Sequence, residues 1–377
     1  MLKIIKGVEV YNPAYMGKND ILIAGSKIIK IAPKIEFTEA EVINQENLIA
    51  VPGIIDQHVH ITGGGGEGGF HTRTPEVQLS DLLKSGITTV VGLLGTDSIT
   101  RQVENLLAKT KALKNEGLNA YCLTGAYTYP TPTITGTVEK DIAFIEEIIG
   151  VKLAISDHRE SYITKDELKH LAGQVRVSSM ISGKAGFITL HMGDDSKALQ
   201  MVFELLKETS LPIKHFRPTH VNRNEVLFNQ ALQFVEQGGN IDLTVGHNNN
   251  ALLHHLEQIK ERNLDPRKIT FSSDGFGSWS KYDHKGKLIK IGVQSCEGIL
   301  QTFRFLTQNG YTLEEVLPYG TSHVAEALSI DQFKGYLKPG YDADLLILDQ
   351  DLNLQSVIAK GRLMVLNQEL LVKGTYE

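Results

Sequence analysis

Four histidines and one aspartate stand where apolar, strand-like runs of the sequence end. His58 and His60 form a His-x-His pair, and residues i and i+2 of a strand point to one face, so both imidazoles can reach the same ion. His191 ends GFITLH, His220 ends IKHFRPTH and Asp274 ends KITFSSD. Taken alone, each is more typical of an ordinary loop residue. Because imidazole and carboxylate groups are zinc-compatible ligands, their recurrence at the ends of four strands predicts a metal site.

Lys152 lies inside another apolar run, GVKLAIS. Such a lysine usually caps the strand or extends toward water, because burying an ammonium group is unfavourable. Reaction with carbon dioxide would instead convert the amine into a carbamate, an anionic oxygen ligand able to bridge two metal ions. The bridging carbamate is our hypothesis for Lys152.

The runs that end in these residues belong to a longer alternation of strands and helices. Eight strand-like runs alternate with helical segments between about residues 50 and 335, among them VEKDIAFIEEIIG, KALQMVFELLKET, VLFNQALQFVEQGG and CEGILQTFRFLTQNG. This alternation favours an α/β fold of the (β/α)₈ TIM-barrel type over an open doubly wound sheet. Active sites of such barrels lie at the C-terminal ends of the strands, which is where the candidate ligands are expected.

The two ends of the chain have a different pattern, with short strand-like segments separated by polar turns and no helical periodicity. We expect residues 1–50 and 337–377 to form one small discontinuous β-sandwich domain, and residues 51–336 to form the barrel. Nearby chain termini make this arrangement geometrically simple.

Composition excludes several classes of protein. The 377 residues are 41% hydrophobic and 22% charged, with a net charge of -6, which is typical of a globular chain with no affinity for nucleic acid. Cys122 and Cys296 are the only cysteines, so a disulfide framework or a cysteine zinc site is excluded. Apolar stretches fall short of the ~18 residues that span a bilayer, and the N-terminus lacks the apolar core of a signal peptide. We therefore expect a soluble, cytoplasmic protein without a membrane partner.

Longer motifs surround the candidate ligands. They are PGIIDQHVHITGGGGEGG, LLGTD, LTGAYTYPTPT, GVKLAISDHR, PTHVNRN, SSDGFGS and, at 337–349, LKPGYDADLLILD. Together they resemble the amidohydrolase superfamily of metal-dependent hydrolases and, within it, the isoaspartyl (β-aspartyl) dipeptidase family. The resemblance extends over nearly the whole chain, and it implies hydrolysis of the isopeptide bond of β-aspartyl dipeptides.

The resemblance also implies two divalent metal ions per chain. The ligands of one ion would be His58, His60 and Asp274, and those of the other would be His191 and His220. Carboxylated Lys152 and a hydroxide would bridge both ions. Family members most often contain zinc, and this ligand set also suits cobalt or manganese. Such a pair of ions would generate hydroxide at the scissile carbonyl.

Two further residues are implied in catalysis. Asp274 would transfer the proton from the attacking water to the leaving amine. Tyr127, in LTGAYTYP, would donate a hydrogen bond to the developing oxyanion, and Tyr129 is a competing candidate. Without the resemblance, Tyr127 would more simply be an aromatic residue packed on the barrel rim.

Six loop residues are implied in substrate binding. Arg159 and Arg223 suit the carboxylate of the leaving residue, since guanidinium groups bind carboxylates in a bidentate manner. Glu67, in GGGGEGG, suits the free α-ammonium group, although a flexible loop with a solvated acid is the simpler interpretation. The positions implied to hold the aspartyl α-carboxylate are Gly65, Thr96 and Ser278.

Two other functions compete with this interpretation. A cyclic amidase of the dihydroorotase or hydantoinase type would share the metal site, but a ring substrate without a free α-amino group has no need for Glu67. A catalytically inactive barrel serving as a scaffold would typically have lost metal ligands, and all six are present here. Trp279 is either a pocket wall or a packing residue, and His247 receives no role. Homo-oligomers, often octamers, are a further implication of the resemblance.

Overall fold

The computed structural model describes residues 2–247, 249–282 and 288–377. The first five strands belong to a nine-stranded sheet that both termini build. They are β1 (Leu2–Asn12), β2 (Ala14–Ala24), β3 (Lys27–Ala32), β4 (Glu41–Asn44) and β5 (Ile49–Pro52). Their inward side chains, including Ile5, Val10 and Ile23, are fully buried in a core of their own. Strand β1 is central, with β2 antiparallel on one side and β5 parallel on the other.

The middle of the chain forms an eight-stranded parallel sheet whose strand order follows the sequence. Its strands and flanking helices are β6 (Ile54–Val59), α1 (Leu79–Lys84), β7 (Ile87–Gly92), α2 (Val103–Glu116), β8 (Asn119–Gly125), α3 (Val138–Phe144), β9 (Ile148–Ile155), α4 (Lys165–Ser182), β10 (Ile188–Met192), α5 (Gln200–Glu208), β11 (Phe216–Thr219), α6 (Glu225–Glu236), β12 (Ile241–Thr244), α7 (Asn249–Glu261), β13 (Ile269–Ser272) and α8 (Gly298–Gln308). A parallel bridge from Val59 to Gly275 brings the first and last strands together, so the sheet is nearly closed. The predicted barrel fold, with an additional sheet from both termini, is confirmed.

The remaining elements complete the barrel and return the chain to the first sheet. They are the antiparallel hairpin β14 (Ser278–Tyr282) and β15 (Leu288–Val293), the helices α9 (Leu313–Val316) and α10 (Ser322–Ala327), and the strands β16 (Leu345–Leu348), β17 (Leu354–Ala359), β18 (Arg362–Leu366) and β19 (Glu369–Leu370). Short 3-10 helices lie at Phe70–Thr72, Ile213–His215, Val221–Arg223, Pro266–Lys268 and Leu317–Gly320. Strand β16 pairs with β5, which joins the two ends of the chain. Within the described ranges, no helix combines the length and the apolar character that crossing a bilayer requires.

One predicted helix is shorter than its sequence pattern indicates. The segment VEKDIAFIEEIIG was expected to be helical throughout, but α3 ends at Phe144 and Ile148 already begins β9. Every residue of β9 is buried between its two neighbouring strands, and this pairing outweighs the local helical pattern. Lys184 stabilises the early end of the helix, because its ammonium donates to the carbonyl of Ile142 at 2.7 Å.

A buried ion network fixes the last part of the chain onto the barrel. The Lys334 ammonium lies 2.8 Å from Asp342 and 2.7 Å from Asp344, both within the 337–349 motif. Asn119, on β8, donates to the Asp344 carboxylate at 3.0 Å. Because the Lys334 side chain is only 3% exposed, removal of either carboxylate would leave part of its charge unpaired.

Candidate active site

Three predicted ligands meet at the C-terminal end of the barrel. His58 lies in β6, His220 follows β11 directly and Asp274 follows β13 by two residues. One nitrogen from each imidazole and one oxygen of the carboxylate lie within 4.8 Å of one another, a spacing compatible with a shared metal ion. His220 and Asp274 both have left-handed backbone conformations, with φ of 60° and 54°. The strand β6, the residue after β11 and the loop after β13 thus supply one candidate ligand each.

His60 lies beside the same carboxylate. Its Nε2 is 3.1 Å from Oδ1 of Asp274, and Nε2 of His58 is 3.5 Å from that oxygen. The other ring nitrogen of His60, Nδ1, is buried and has no hydrogen-bond partner among the described residues. A buried polar atom without a partner is unfavourable, so this donor set fits a bound cation.

Lys152 is fully buried at the centre of this group of histidines. Its Nζ lies 3.0 Å from Nε2 of His58, and burial lowers the pKa of the ammonium to about 7. A large fraction of the amine is therefore neutral near neutral pH, which is the form that reacts with carbon dioxide. The environment of Lys152 fits the carbamate hypothesis.

Hydroxyl groups behind two histidines set their orientation. The Thr219 hydroxyl donates to Asp242 at 2.7 Å, so it accepts from Nδ1 of His58 at 3.3 Å. Nε2 of His58 is then left with its lone pair facing the site. The Thr244 hydroxyl lies 2.6 Å from Nδ1 of His220. Asp242 was not predicted from the sequence, where its only signal is an acidic residue inside the apolar run NIDLTVGH.

His191 lies in the same cluster, but both of its ring nitrogens have protein partners. The centroid of its ring is 4.6 Å from that of His220. Nδ1 lies 2.6 Å from the hydroxyl of Tyr127, and Nε2 lies 2.9 Å from Oδ2 of Asp157. The structure thus brings His191 beside the other ligands, although it would have to exchange a partner to bind an ion.

Asp157 is a functional candidate that the sequence analysis missed. Its side chain is 1% exposed, and it accepts two hydrogen bonds from the Arg159 guanidinium at 2.8 and 2.7 Å. Burial opposes its ionisation, but the bonds from Arg159 and His191 hold the pKa of this carboxyl well below its usual value. Arg223 lies 3.7 Å away, so one carboxylate orients both predicted carboxylate-binding arginines. The signal was present as an acidic residue two positions before Arg159.

Tyr127 is the tyrosine that reaches the site. Its hydroxyl contacts His191, whereas Tyr129 packs against the barrel core. Burial raises the pKa of Tyr127 above its usual value, so the hydroxyl stays protonated and can donate a hydrogen bond.

Glu67 is held by three side chains from three different loops. Thr96 and Ser278 donate to its carboxylate at 3.1 Å each, and the Arg159 guanidinium lies 3.3 Å away. The side chain of Glu67 is 14% exposed, which is far from the solvated loop acid of the simpler interpretation. Gly65 approaches this group with a φ of 75°, and a Cβ there would lie 2.5 Å from the Thr72 carbonyl oxygen, so the position requires glycine.

One cavity connects the histidines with the predicted recognition residues. It has a volume of about 40 Å³, and its lining includes Gly65, Glu67, Thr96, Tyr127, Arg159, His191, Arg223, Asp274 and Ser278. A larger adjoining cavity of about 480 Å³ shares four of these residues and is also lined by His247 and Trp279. Trp279 therefore lies in the wall of this larger cavity. His247 lines the same cavity, and its Nδ1 is 2.9 Å from the side-chain amide nitrogen of Gln294. The charged groups that line these two adjoining cavities suit a small ligand with separated charges.

A sequence model of the amidohydrolase family matches residues 49–364, which is most of the chain. The chain belongs to the amidohydrolase family. This amidohydrolase is similar to the crystal structure of β-aspartyl dipeptidase from Fervidobacterium islandicum AW-1 in complex with β-Asp-Leu dipeptide, at 41% identity, with 98% of each chain covered and a TM-score of 0.93. The predicted resemblance is thereby confirmed.

The amidohydrolase also resembles curated dihydroorotases. It is 23% identical to the dihydroorotase of Staphylococcus aureus over 93% of this chain and 90% of that enzyme. It is 35% identical to the dihydroorotase of Streptococcus pyogenes over 122 residues, which are 31% of this chain and 28% of that enzyme. The chain thus spans less than a third of the length of this second relative.

Proposed function

We propose that this amidohydrolase is a binuclear metal-dependent isoaspartyl dipeptidase that hydrolyses the isopeptide bond of β-aspartyl dipeptides. The observation that supports it most directly is the cavity where all six predicted substrate-binding residues surround a space beside the histidine cluster. The similarity to a β-aspartyl dipeptidase over 98% of the chain adds support.

We propose that the donor set described above holds two divalent ions, both of them zinc. The residues that would hold them are His58, His60, His191, His220, Asp274 and carboxylated Lys152. When bound, such ions would polarise the scissile carbonyl and lower the pKa of a water molecule toward neutrality.

Asp274 would transfer a proton during hydrolysis, and Tyr127 would stabilise the negative charge that develops on the carbonyl oxygen. The Asp274 carboxylate would accept a proton from the attacking water and deliver it to the nitrogen of the leaving residue, since an amine leaves poorly without that proton. The Tyr127 hydroxyl, protonated and buried, would donate to the oxyanion that develops on the carbonyl oxygen.

The loop residues would distinguish a β-aspartyl dipeptide from other amides. Glu67 would pair with the α-ammonium group, and the donors at Gly65, Thr96 and Ser278 would hold the α-carboxylate. Arg159 and Arg223, both oriented by Asp157, would bind the carboxylate of the leaving residue. Because these groups lie in one cavity, a substrate must present all three charges at once to satisfy them.

Release of amino acids from β-Asp-Leu, compared with α-Asp-Leu and dihydroorotate, tests the proposal. We expect hydrolysis of β-Asp-Leu only. Turnover of dihydroorotate without turnover of β-Asp-Leu would instead establish the cyclic amidase alternative. The similarity to dihydroorotases is the reason for including this substrate.

A further inference from the structure

Arg101 is a buried arginine that has no role in the proposed mechanism. The residue is 5% exposed and stands just before α2. Its Nε donates to the carbonyl of Thr62 at 2.8 Å, and its Nη2 donates to the carbonyl of Thr74 at 2.7 Å. Its Nη1 lies 3.4 Å from Asp97, the neighbour of Thr96 in the sequence. One guanidinium group thus joins two distant backbone positions and a carboxylate.

The two carbonyls are the ends of the glycine-rich segment 62–74, which includes Glu67. The contact is close, because a Cβ added to Gly63 would lie 2.4 Å from the Thr74 carbonyl oxygen and 2.9 Å from Nη2 of Arg101. A segment with so many glycines has little conformational preference of its own. Its path is held by bonds within the segment, such as that from the Thr74 N–H to the Gly64 carbonyl at 2.9 Å, and by bonds from outside, of which Arg101 supplies two.

Thr74 connects the same segment to the loop after β13. Its hydroxyl accepts from the backbone N–H of Gly64 at 2.6 Å and donates to the carbonyl of Phe276 at 2.7 Å. Phe276 stands two residues before Ser278, one of the donors to Glu67. Arg101 and Thr74 together therefore link the three loops that contain Glu67, Thr96 and Ser278.

We propose that Arg101 and Thr74 form a loop clamp, which fixes the path of the 62–74 segment and thereby positions Glu67 to recognise the α-ammonium group of the substrate. Both are positioning residues, because the contacts above are to backbone and carboxylate groups of the loops. The inference rests on the proposed function and adds the source of its selectivity.

The matched pair Thr74→Val and Thr74→Ser tests the loop clamp. Valine keeps the shape of threonine and removes both hydroxyl bonds, whereas serine retains the hydroxyl. The two probes are β-Asp-Leu and succinyl-leucine, which lacks only the α-ammonium group. The affinity for succinyl-leucine is taken from its inhibition constant against β-Asp-Leu hydrolysis, so it does not depend on turnover.

We expect Thr74→Val to raise the KM for β-Asp-Leu about 10-fold, with kcat changed less than about 3-fold, since buried hydrogen bonds are lost. The inhibition constant of succinyl-leucine should change less than about 3-fold, and Thr74→Ser should behave like the parent protein. Arg101→Lys should change the KM and the inhibition constant in the same way as Thr74→Val, because an ammonium group lacks the planar fork of donors that reaches both carbonyls.

Arg73→Met is the control. Arg73 is 39% exposed and lies 3.7 Å from the same Asp97, but it does not bond to the Thr62 or Thr74 carbonyl. Its replacement should leave both kinetic constants unchanged. Equal weakening of β-Asp-Leu and succinyl-leucine by Thr74→Val, or an unchanged KM, would overturn the loop clamp. A parent protein that does not hydrolyse β-Asp-Leu would instead overturn the proposed function, so the two failures are distinguishable.

Discussion

The proposed metal-ligand region and the proposed recognition region of this site are built in different ways. His58, Lys152 and His191 lie in strands, and ladder bonds to neighbouring strands fix the backbone of Lys152 and His191. Glu67 lies in a glycine-rich loop that depends on side chains such as Arg101 and Thr74 for its path. Strands therefore position several of the proposed metal ligands, and loops with side-chain supports position the proposed recognition residues.

This difference separates the expected effects of substitution. A change in the strand-borne cluster should abolish hydrolysis of every substrate, because all of them would depend on the proposed metal centre. A change in the recognition loops should alter which substrate is favoured and leave the metal content intact.

The largest effect is expected for Lys152→Ala. Loss of the bridging ligand should remove most of the two divalent ions per chain and lower kcat/KM by at least ~10³-fold, about 4 kcal/mol. Elemental analysis of protein purified with bicarbonate measures the metal, and a short carboxylic acid with added metal should restore part of the activity. Exposed Lys140→Ala is the control. Full activity in the unassisted Lys152→Ala variant would contradict the carbamate hypothesis.

Glu67→Gln should have the next largest effect, confined to recognition. Breaking a desolvated ion pair is far more unfavourable than breaking an exposed one, so kcat/KM for β-Asp-Leu should fall at least ~10²-fold, about 2.7 kcal/mol. Metal content should equal that of the parent protein. Loss of metal in Glu67→Gln would contradict the assignment of metal binding and substrate recognition to separate regions.

Asp157→Asn should have a smaller effect on the leaving-residue side. The variant keeps the shape of the side chain but weakens the bidentate bond to Arg159, so the KM for β-Asp-Leu should rise about 10-fold. The amide of that substrate, β-aspartyl-leucinamide, has no terminal carboxylate and should be affected less. Asp166→Asn, an exposed change on α4, is the control. An equal effect on both substrates would argue against orientation of Arg159 by Asp157.

The smallest effect concerns stability alone and lies in α10. Burial lowers the pKa of His323 to about 4, so the folded protein binds this proton less readily than the unfolded chain, whose histidine has a pKa near 6.5. Stability is therefore lost as pH falls from 6.5 toward 4, by about 0.8 kcal/mol at pH 6. His323→Gln should remove this part of the pH dependence of Tm and leave kcat/KM unchanged. An identical Tm profile in both proteins would show that His323 does not contribute.

The same contrast explains what the sequence could predict. Hydrophobic runs ending in His58, His220 and Asp274 predicted both the barrel strands and the cluster, since strand geometry leaves side chains little freedom. The end of α3 was placed too late, because pairing of β9 with its neighbours cannot be deduced from local periodicity.

Residues whose role depends on tertiary partners were missed. Asp157 and Asp242 are single acids inside the runs GVKLAISDHR and NIDLTVGH, and their contacts with Arg159 and Thr219 are visible only in the folded chain. Arg101 likewise bonds to a loop 27 to 39 residues away in sequence. Tyr127 and Tyr129 have similar surroundings in the sequence, and only the path of the loop after β8 distinguishes them.

Selectivity for the free α-ammonium group tests the central claim most directly. The measurement compares kcat/KM for β-Asp-Leu with that for its N-acetyl derivative, in the parent protein and in Glu67→Gln. We expect the parent protein to favour the free dipeptide by at least ~10²-fold, and the ratio to fall about 10-fold or more in the variant, since the ion pair is lost. A parent protein that hydrolyses both substrates equally, or a ratio that Glu67→Gln leaves unchanged, would contradict the account.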